Sequence, residues 1–361
     1  MDEQRRDSID ETTDHGKPDE ETARAATTPR PGGRGVFRRV SGRKAVAAGL
    51  AASSFGALAG ATVNTSPGTP VGGGTNPESE GNEPEVSETF STSDSWDIEV
   101  TRNDQVDFFI EFLQGKNHQK THLWLERLGH YGPMIQQKLA ERNMPQDLIW
   151  LAMIESGLDP NAYSAADAAG LWQFIEPTGE RYGLEVSKYV DERRNPEKAT
   201  DAALTYLQEL HDRFGSWYLA AASYNTGENR VDRVLGEQGA QRGVESEFWK
   251  IANHLPRETR DYVPVMLAMG HIGKNPEQFG FSGLEMQQPL AYDTVTLPGG
   301  TRLEKVAQAI GVDAQSIHDL NPDLIQQMTP PDREWEVRIP EGTREAFLQN
   351  WAGGGPTGET A

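Results

Sequence analysis

Leu148-Ile149-Trp150-Leu151-Ala152-Met153-Ile154 is a run of seven apolar residues. A surface helix interleaves polar positions, so an unbroken run of this kind predicts a helix buried on every side. Asn143 is placed to cap its start, Pro145 suits its first turn, and Gly157 and Pro160 end it. The surrounding chain keeps a helical period from Trp96 to about Phe281. Its apolar faces predict helices over 106–113 (stopped at Gly115), 122–128, 131–142, 195–214, 217–224 and 257–271. In the 195–214 helix the buried stripe is Ala199, Ala202, Ala203, Tyr206, Leu207 and Leu210. Almost nothing alternates with period two, so residues 96–283 are expected to form an all-α domain large enough for its own core.

The pattern changes after Ala291. Residues 292–297 alternate as a strand, Pro298-Gly299-Gly300 turns, and Thr301 with Glu304 reads as a capping box opening a helix through Leu303, Val306, Ala307 and Ile310. Asp313 is placed to cap a second short helix ended by Asn321-Pro322, and residues 335–339 make a closing strand. The expected second unit, 288–342, is therefore β-α-α-β, and 343–361 reads as a tail. The fold class is mainly α, a helical domain followed by a small βααβ domain.

At the other end, residues 1–36 are polar, charged and without apolar period, which predicts disorder. A basic segment containing Arg38-Arg39, a weakly apolar Ala/Gly-rich run and the triplet Ala57-Leu58-Ala59 read as an export signal within residues 1–61. An uncleaved membrane anchor is the alternative reading, and a twin-arginine route is open. Residues 62–95 are a Gly/Pro/Ser/Thr/Glu linker. The net charge is −21, which argues against nucleic acid as a partner because phosphate binding needs basic patches. There are no cysteines, so disulfides and thiolate metal sites are excluded, and the eight histidines form no close cluster with carboxylates. Neither a metal nor another cofactor is expected.

The chemistry begins at Glu155, in the last turn of the buried helix with no basic residue nearby in sequence. Burial and the negative end of the helix dipole both disfavour its charged form, so it should hold a proton near neutrality, as a general acid must. A glutamate merely turned outward at a helix end is the plain alternative. Trp172-Gln173 follows shortly after, and Tyr224-Asn225 follows the alanine-rich helix. Aromatic faces beside amide donors suit a sugar. Core packing for Trp172 and helix termination for Tyr224-Asn225 are equally open at this point.

Four motifs in order carry a resemblance: Glu155-Ser156-Gly157, Gly170-Leu171-Trp172-Gln173-Phe174, Ala222-Ser223-Tyr224-Asn225-Thr226-Gly227, and Glu258-Thr259-Arg260-Asp261-Tyr262-Val263-Pro264. Over about 96–280 the chain resembles the soluble-lytic-transglycosylase superfamily, in the branch of membrane-bound lytic murein transglycosylase D. The resemblance implies a goose-lysozyme-like helical lobe with a sugar groove, Glu155 as the sole catalytic acid/base, and Gln173, Tyr224, Asn225, Tyr262, Ser164 and Trp172 as substrate-binding residues. The implied substrate is the peptidoglycan glycan strand. The implied reaction has Glu155 protonate a MurNAc–GlcNAc bridging oxygen, then take the proton of the muramyl 6-hydroxyl, leaving a 1,6-anhydro end. Residues 288–342 resemble a LysM module, through Gly300, Leu303, Val306, Ala307 and Asn321-Pro322, with Thr301 and Arg302 departing from its pattern; such modules bind N-acetylglucosamine polymers. That unit is expected to add affinity for the wall separately from catalysis. Export to the periplasm or cell envelope would follow.

One departure lies in Ser164-Ala165-Ala166-Asp167-Ala168-Ala169-Gly170, where the family has Gly at the position of Asp167. Aspartate tolerates positive φ, so a turn substitution is expected there; a second groove carboxylate is the sharper reading. A goose-type-lysozyme-like muramidase and a non-catalytic wall-binding protein are the other functions the motifs allow.

Overall fold

The computed structural model describes residues 96–351; the export segment, the linker and the last ten residues lie outside the described residues. Residues Ile149–Ser156 form helix α3, and every one of its residues is buried. It starts differently from the expectation. Asn143 does not cap it but sits at φ 53°, because extended Pro145 and a 3-10 turn at Gln146–Leu148 intervene. The anchor of this start is the buried carboxylate of Asp147, which accepts from Trp150 Nε1 at 3.2 Å and the Asp97 N–H at 2.5 Å and pairs with Lys274 at 2.7 Å. Gly157 ends α3 as expected, at φ 64°. A Cβ there would lie 1.9 Å from the indole Nε1 of Trp124, so position and conformation both demand glycine.

The helices around α3 are α1 (Asp104–Gln114), α2 (His118–Glu141), α5 (Pro196–Phe214), α6 (Trp217–Thr226) and α9 (Arg257–Lys274). Helix α9 packs on α3, α1 and α6, while α5 packs on α6 and α2. Asn195 caps α5, accepting from the N–H groups of Glu197 and Lys198, and Ser216 caps α6. The two helices expected over 122–128 and 131–142 are one 24-residue helix, α2, with Pro133 inside it. An internal proline costs about 3 kcal/mol, and burial of Trp124, Leu125, Tyr131, Ile135 and Leu139 on one side offsets it. The glycines there serve close approach instead of ending the helix: a Cβ on Gly129 would sit 2.3 Å from the Gln287 carbonyl oxygen. Three further helices were not among those expected, α4 (Glu176–Arg181), α7 (Glu228–Gln238) and α8 (Glu247–Ile251). A two-residue hairpin, β1 (Ala168–Ala169) with β2 (Phe174–Ile175), frames the loop that carries Gln173.

A second core lies toward the C-terminus. Strands β3 (Tyr292–Leu297) and β4 (Trp335–Pro340) pair antiparallel, Tyr292 opposite Pro340 and Leu297 opposite Trp335. Helices α10 (Leu303–Ile310) and α11 (Ala314–Leu320) pack together, with α11 against β4. Asp313 caps α11 as expected, but the capping box at Thr301 does not form. The Thr301 hydroxyl donates instead to the Pro298 carbonyl, and Arg302 stands at the start of α10 without a side-chain cap. The stretch read as a tail from 343 begins with a helix, α12 (Arg344–Trp351), whose Phe347 is 2% exposed in this second core. Its single buried position left too little periodicity to detect.

This second unit is not a separate bead. Val190, from the segment before α5, belongs to its core, and Val190 bridges Leu324. Arg338 reaches across to Asn195 Oδ1 at 2.9 Å and Glu197 Oε2 at 3.0 Å. Arg333 pairs with Glu185 at 2.6 Å. Among the described residues no helix is long and apolar enough to cross a membrane.

Phe347→Ala should destabilise the protein by about 3–5 kcal/mol, the usual result of emptying a buried aromatic site. Thermal or urea unfolding that is unchanged by this substitution would return 343–351 to the status of a tail.

Candidate active site

Helix α3 delivers Glu155 to its C-terminal turn with only 2% of the residue exposed. Oε1 accepts a hydrogen bond of 2.5 Å from the Tyr262 hydroxyl of α9. Oε2 is buried and has no protein partner. A carboxyl in such surroundings resists ionisation, and its pKa is pushed up to about 8. Burial is the main cause, the Tyr262 hydroxyl pulls the other way, and the Glu258 carboxylate adds to the rise. Glu155 is buried at the end of its helix, as the apolar run led one to expect. The plain alternative, an outward-turned side chain, does not hold.

Tyr224 and Asn225 occupy the last turn of α6, and both are buried. Tyr224 donates its hydroxyl to the Trp172 carbonyl at 2.8 Å. Its ring lies 5.2 Å from Tyr206 and 6.2 Å from Phe174, and Tyr206 stacks on Tyr182 at 4.9 Å. Burial and the neighbouring Glu155 carboxylate raise the pKa of both Tyr224 and Tyr262 well above the ordinary phenol value. They act as neutral hydroxyls. Asn225 accepts from the Thr259 hydroxyl at 2.8 Å and offers its amide to Glu258 at 3.4 Å. Glu155, Tyr224, Tyr262, Asn225 and Glu258 are thus gathered from three helices. Glu258 was not singled out beforehand; it stands within one of the quoted motifs, but which of that motif's carboxylates faces Glu155 is decided by how α9 is rotated against α3.

Residues 164–175 contribute the loop beside this group. Gln173 holds φ 48°, is mostly buried, and donates Nε2 to the Gly170 carbonyl at 2.9 Å and the Ala162 carbonyl at 3.3 Å. Ser164 braces the turn, its Oγ accepting from the N–H groups of Ala166 and Ala168. Trp172 differs from the sugar-face expectation. Its ring is 0% exposed and its indole N–H is committed to Thr200 Oγ1 at 2.9 Å, so it is core and offers no face to a ligand. The exposed aromatic of this loop is Tyr163, at 55%. Asp167 has the positive φ expected of it, 61°. Its carboxylate is exposed and accepts from the Tyr163 hydroxyl at 2.9 Å. Ser156, next to the acid, ties the two parts together by donating to the Leu171 carbonyl at 2.8 Å.

Among the described residues no three His, Cys, Asp or Glu side chains are disposed to hold a metal ion. The arrangement sets a buried carboxyl, whose pKa is pushed up to about 8, against a tyrosine hydroxyl, which suits proton transfer onto a neutral polar ligand.

Comparison with known proteins finds two matching domain families. Residues 132–246 match the family described as the transglycosylase SLT domain, and residues 291–353 match the LysM-like domain of lytic transglycosylase MltD. The chain is 34% identical over 218 residues to membrane-bound lytic murein transglycosylase D of Escherichia coli, covering 60% of this chain and 48% of that protein. It is 30% identical over 178 residues to a peptidoglycan transglycosylase of an Escherichia phage, covering 48% of this chain and 13% of that one. It therefore spans about half, or less, of the curated relatives it matches. Similar solved structures include the 70 kDa soluble lytic transglycosylase of Escherichia coli, with 21% identity, TM-score 0.36, and coverage of 50% of this chain and 32% of that one. An inactive variant of the lytic transglycosylase Slt from Pseudomonas aeruginosa aligns at 20% identity and TM-score 0.35, covering 45% and 26%. The chain thus carries a transglycosylase SLT domain over residues 132–246 and an MltD-type LysM-like domain over residues 291–353.

Proposed function

We propose that the protein cleaves the β-1,4 linkage between MurNAc and GlcNAc in peptidoglycan without consuming water, leaving 1,6-anhydromuramyl ends. The observation that carries this reading is the place of Glu155, buried at the end of α3 and hydrogen-bonded to Tyr262, where burial pushes its pKa up to about 8. Glu155 gives its proton to the bridging oxygen as the glycosidic bond breaks. Its carboxylate, held by the Tyr262 hydroxyl, then takes the proton of the muramyl 6-hydroxyl while that oxygen bonds to the anomeric carbon. One group serves as acid and then as base, which needs a pKa near the working pH.

Hydrolysis by a two-carboxylate route needs an ionised partner as nucleophile or base. Glu258, the carboxylate that raises Glu155, is itself pushed up by burial and bonded to Asn225. Asp167 is engaged by Tyr163 at the surface. Neither favours the muramidase reading, and the intact acid disfavours a purely binding protein. Gln173, Asn225, Tyr224, Tyr262 and Ser164 are read as the surroundings of the sugar, Ser164 through its turn. The LysM-like domain is read as added affinity for the glycan strand. Work in the bacterial cell envelope follows from the substrate and from the membrane-bound murein enzyme among the relatives. Nothing basic enough for nucleic acid is proposed as a partner, and membrane association through the N-terminal segment stays a proposal.

Glu155→Gln should fold, bind glycan and lose about 10²–10⁴-fold or more in rate, since it cannot release a proton. Digestion of purified murein by the wild type in oxygen-18 water should leave the new ends unlabelled; label at the anomeric carbon would establish hydrolysis and end the transglycosylase reading.

Activity should fall as pH rises through about 8, where Glu155 loses its proton. Tyr262 stabilises the anion, so Tyr262→Phe raises the pKa further and should move this alkaline limb upward; a limb moved downward would contradict the hydrogen bond's direction.

The same burial has a consequence for stability. The folded pKa lies above the unfolded value of 4.5, so the folded state loses stability as pH rises from 4.5 to about 8, by on the order of 1.4 kcal/mol per pH unit at most. Glu155→Gln should therefore melt above the wild type at pH 8 and converge with it below pH 4.5. Equal melting temperatures at both pH values would mean that the carboxyl is not the buried acid described.

Asp167→Gly should preserve the product type, because only a carboxylate that activates water or attacks carbon could alter it; a changed ratio of anhydro to reducing ends would give Asp167 a catalytic part.

A further inference from the structure

The loop that carries Gln173 is conformationally strained, with Asp167, Gly170 and Gln173 at φ 61°, 82° and 48°. Non-glycine residues keep such values only where their surroundings over-determine them. Arg193 supplies much of that constraint. It is 3% exposed, and its Nη1 donates to the Asp167 carbonyl at 2.8 Å and the Phe174 carbonyl at 3.1 Å, the two ends of the loop. Its own carbonyl oxygen closes on the middle of the loop: a Cβ on Gly170 would lie 1.8 Å from it. The remaining donors, Nε and Nη2, are gripped by the two oxygens of Asp191, each at 2.8 Å. Four of the five N–H groups of one buried guanidinium are engaged here.

The same short segment is where the LysM-like domain docks. The Asp191 N–H donates to the Asp323 carbonyl at 2.9 Å. Val190 lies in the second core. Asn195 gives Nδ2 to Asp323 Oδ2 at 3.1 Å and accepts from Arg338 at 2.9 Å. Residues 190, 191 and 195, all in contact with the C-terminal domain, thus flank the residue that clamps the site loop, and Asp191 both meets that domain and grips Arg193.

We infer that Arg193 is a positioning residue for the loop bearing Gln173, and that docking of the LysM-like domain on segment 190–195 holds Arg193 in place. The domain thereby acts on turnover at Glu155 as well as on affinity for the wall. Arg193 reaches no reacting group; it works through backbone carbonyls. This inference rests on the reading of the site as a glycan-cleaving centre, and it revises the expectation that the C-terminal unit works separately.

The test uses the full chain with two changes, Arg193→Lys and the double variant Asp323→Ala/Arg338→Leu. Lysine keeps the charge but cannot fork to Asp191 and two carbonyls together. Turnover of soluble murein fragments should fall about 10–100-fold in kcat for each, with KM little changed, as expected of a site loop displaced by about an ångström. A brace with no positioning role would lower the melting temperature and leave kcat per folded molecule as in the wild type. Hydrogen exchange should also quicken roughly tenfold at amides 167–174 in the double variant, whose substitutions are all in the other domain. If Arg193→Lys does not fold, the double variant decides. Wild-type exchange at 167–174 or wild-type kcat in the double variant overturns the coupling. A wild type that cleaves no glycan would refute the proposed function, while the exchange measurement would still decide the inference.

Discussion

A carboxyl that must stay protonated near neutrality needs a place where water cannot stabilise its anion. Residues Ile149–Ser156 make that place, since every residue of α3 is buried and Glu155 comes at its end. The helix dipole directs its negative end at the same group, and no cation stands close enough in sequence to undo the effect. Much of the surrounding architecture follows from keeping α3 there. Asp147 and Lys274 fasten its start, the indole of Trp124 closes against Gly157 at its end, and α9 brings Tyr262 to the one carboxylate oxygen with a protein partner. The hydrogen bond from Tyr262 moderates the rise that burial causes, so the acid is set between two opposing effects.

The second constraint is the loop after β1. It keeps Gln173 buried and bonded to the Gly170 and Ala162 carbonyls only by accepting unfavourable backbone angles at two non-glycine residues. Ser156, Tyr224 and Arg193 each hold it by a carbonyl, so it is tied to the helix of the acid, to α6 and to the segment before α5. A loop held at three points has little freedom to follow a ligand. That rigidity is consistent with a site whose polar groups are set before the substrate arrives. It also explains why Trp172, conspicuous in the sequence, lies under the loop as an anchor and does not face a ligand.

The sequence by itself determined the helical class, the place of the buried acid and the β-α-α-β plan of the C-terminal domain, because each is written in local period: an unbroken apolar run, stripes of period 3.6, one alternating strand. It also marked Gly157 as a stop, since that preference belongs to a single residue, while the family resemblance marked Asp167 as a positive-φ position. Tertiary structure decided whatever depended on distant neighbours. A break was expected between residues 128 and 131, yet α2 runs through Gly129, against which Gln287 lies, and a core face offsets the cost of Pro133 inside the helix. Trp172 looked like a sugar platform until the fold buried it on Thr200. Glu258 became the neighbour of Glu155, and Arg193 the clamp of the Gln173 loop, through interactions between residues far apart in the chain. No local pattern records such pairings, since they exist only once helices have turned particular faces toward one another.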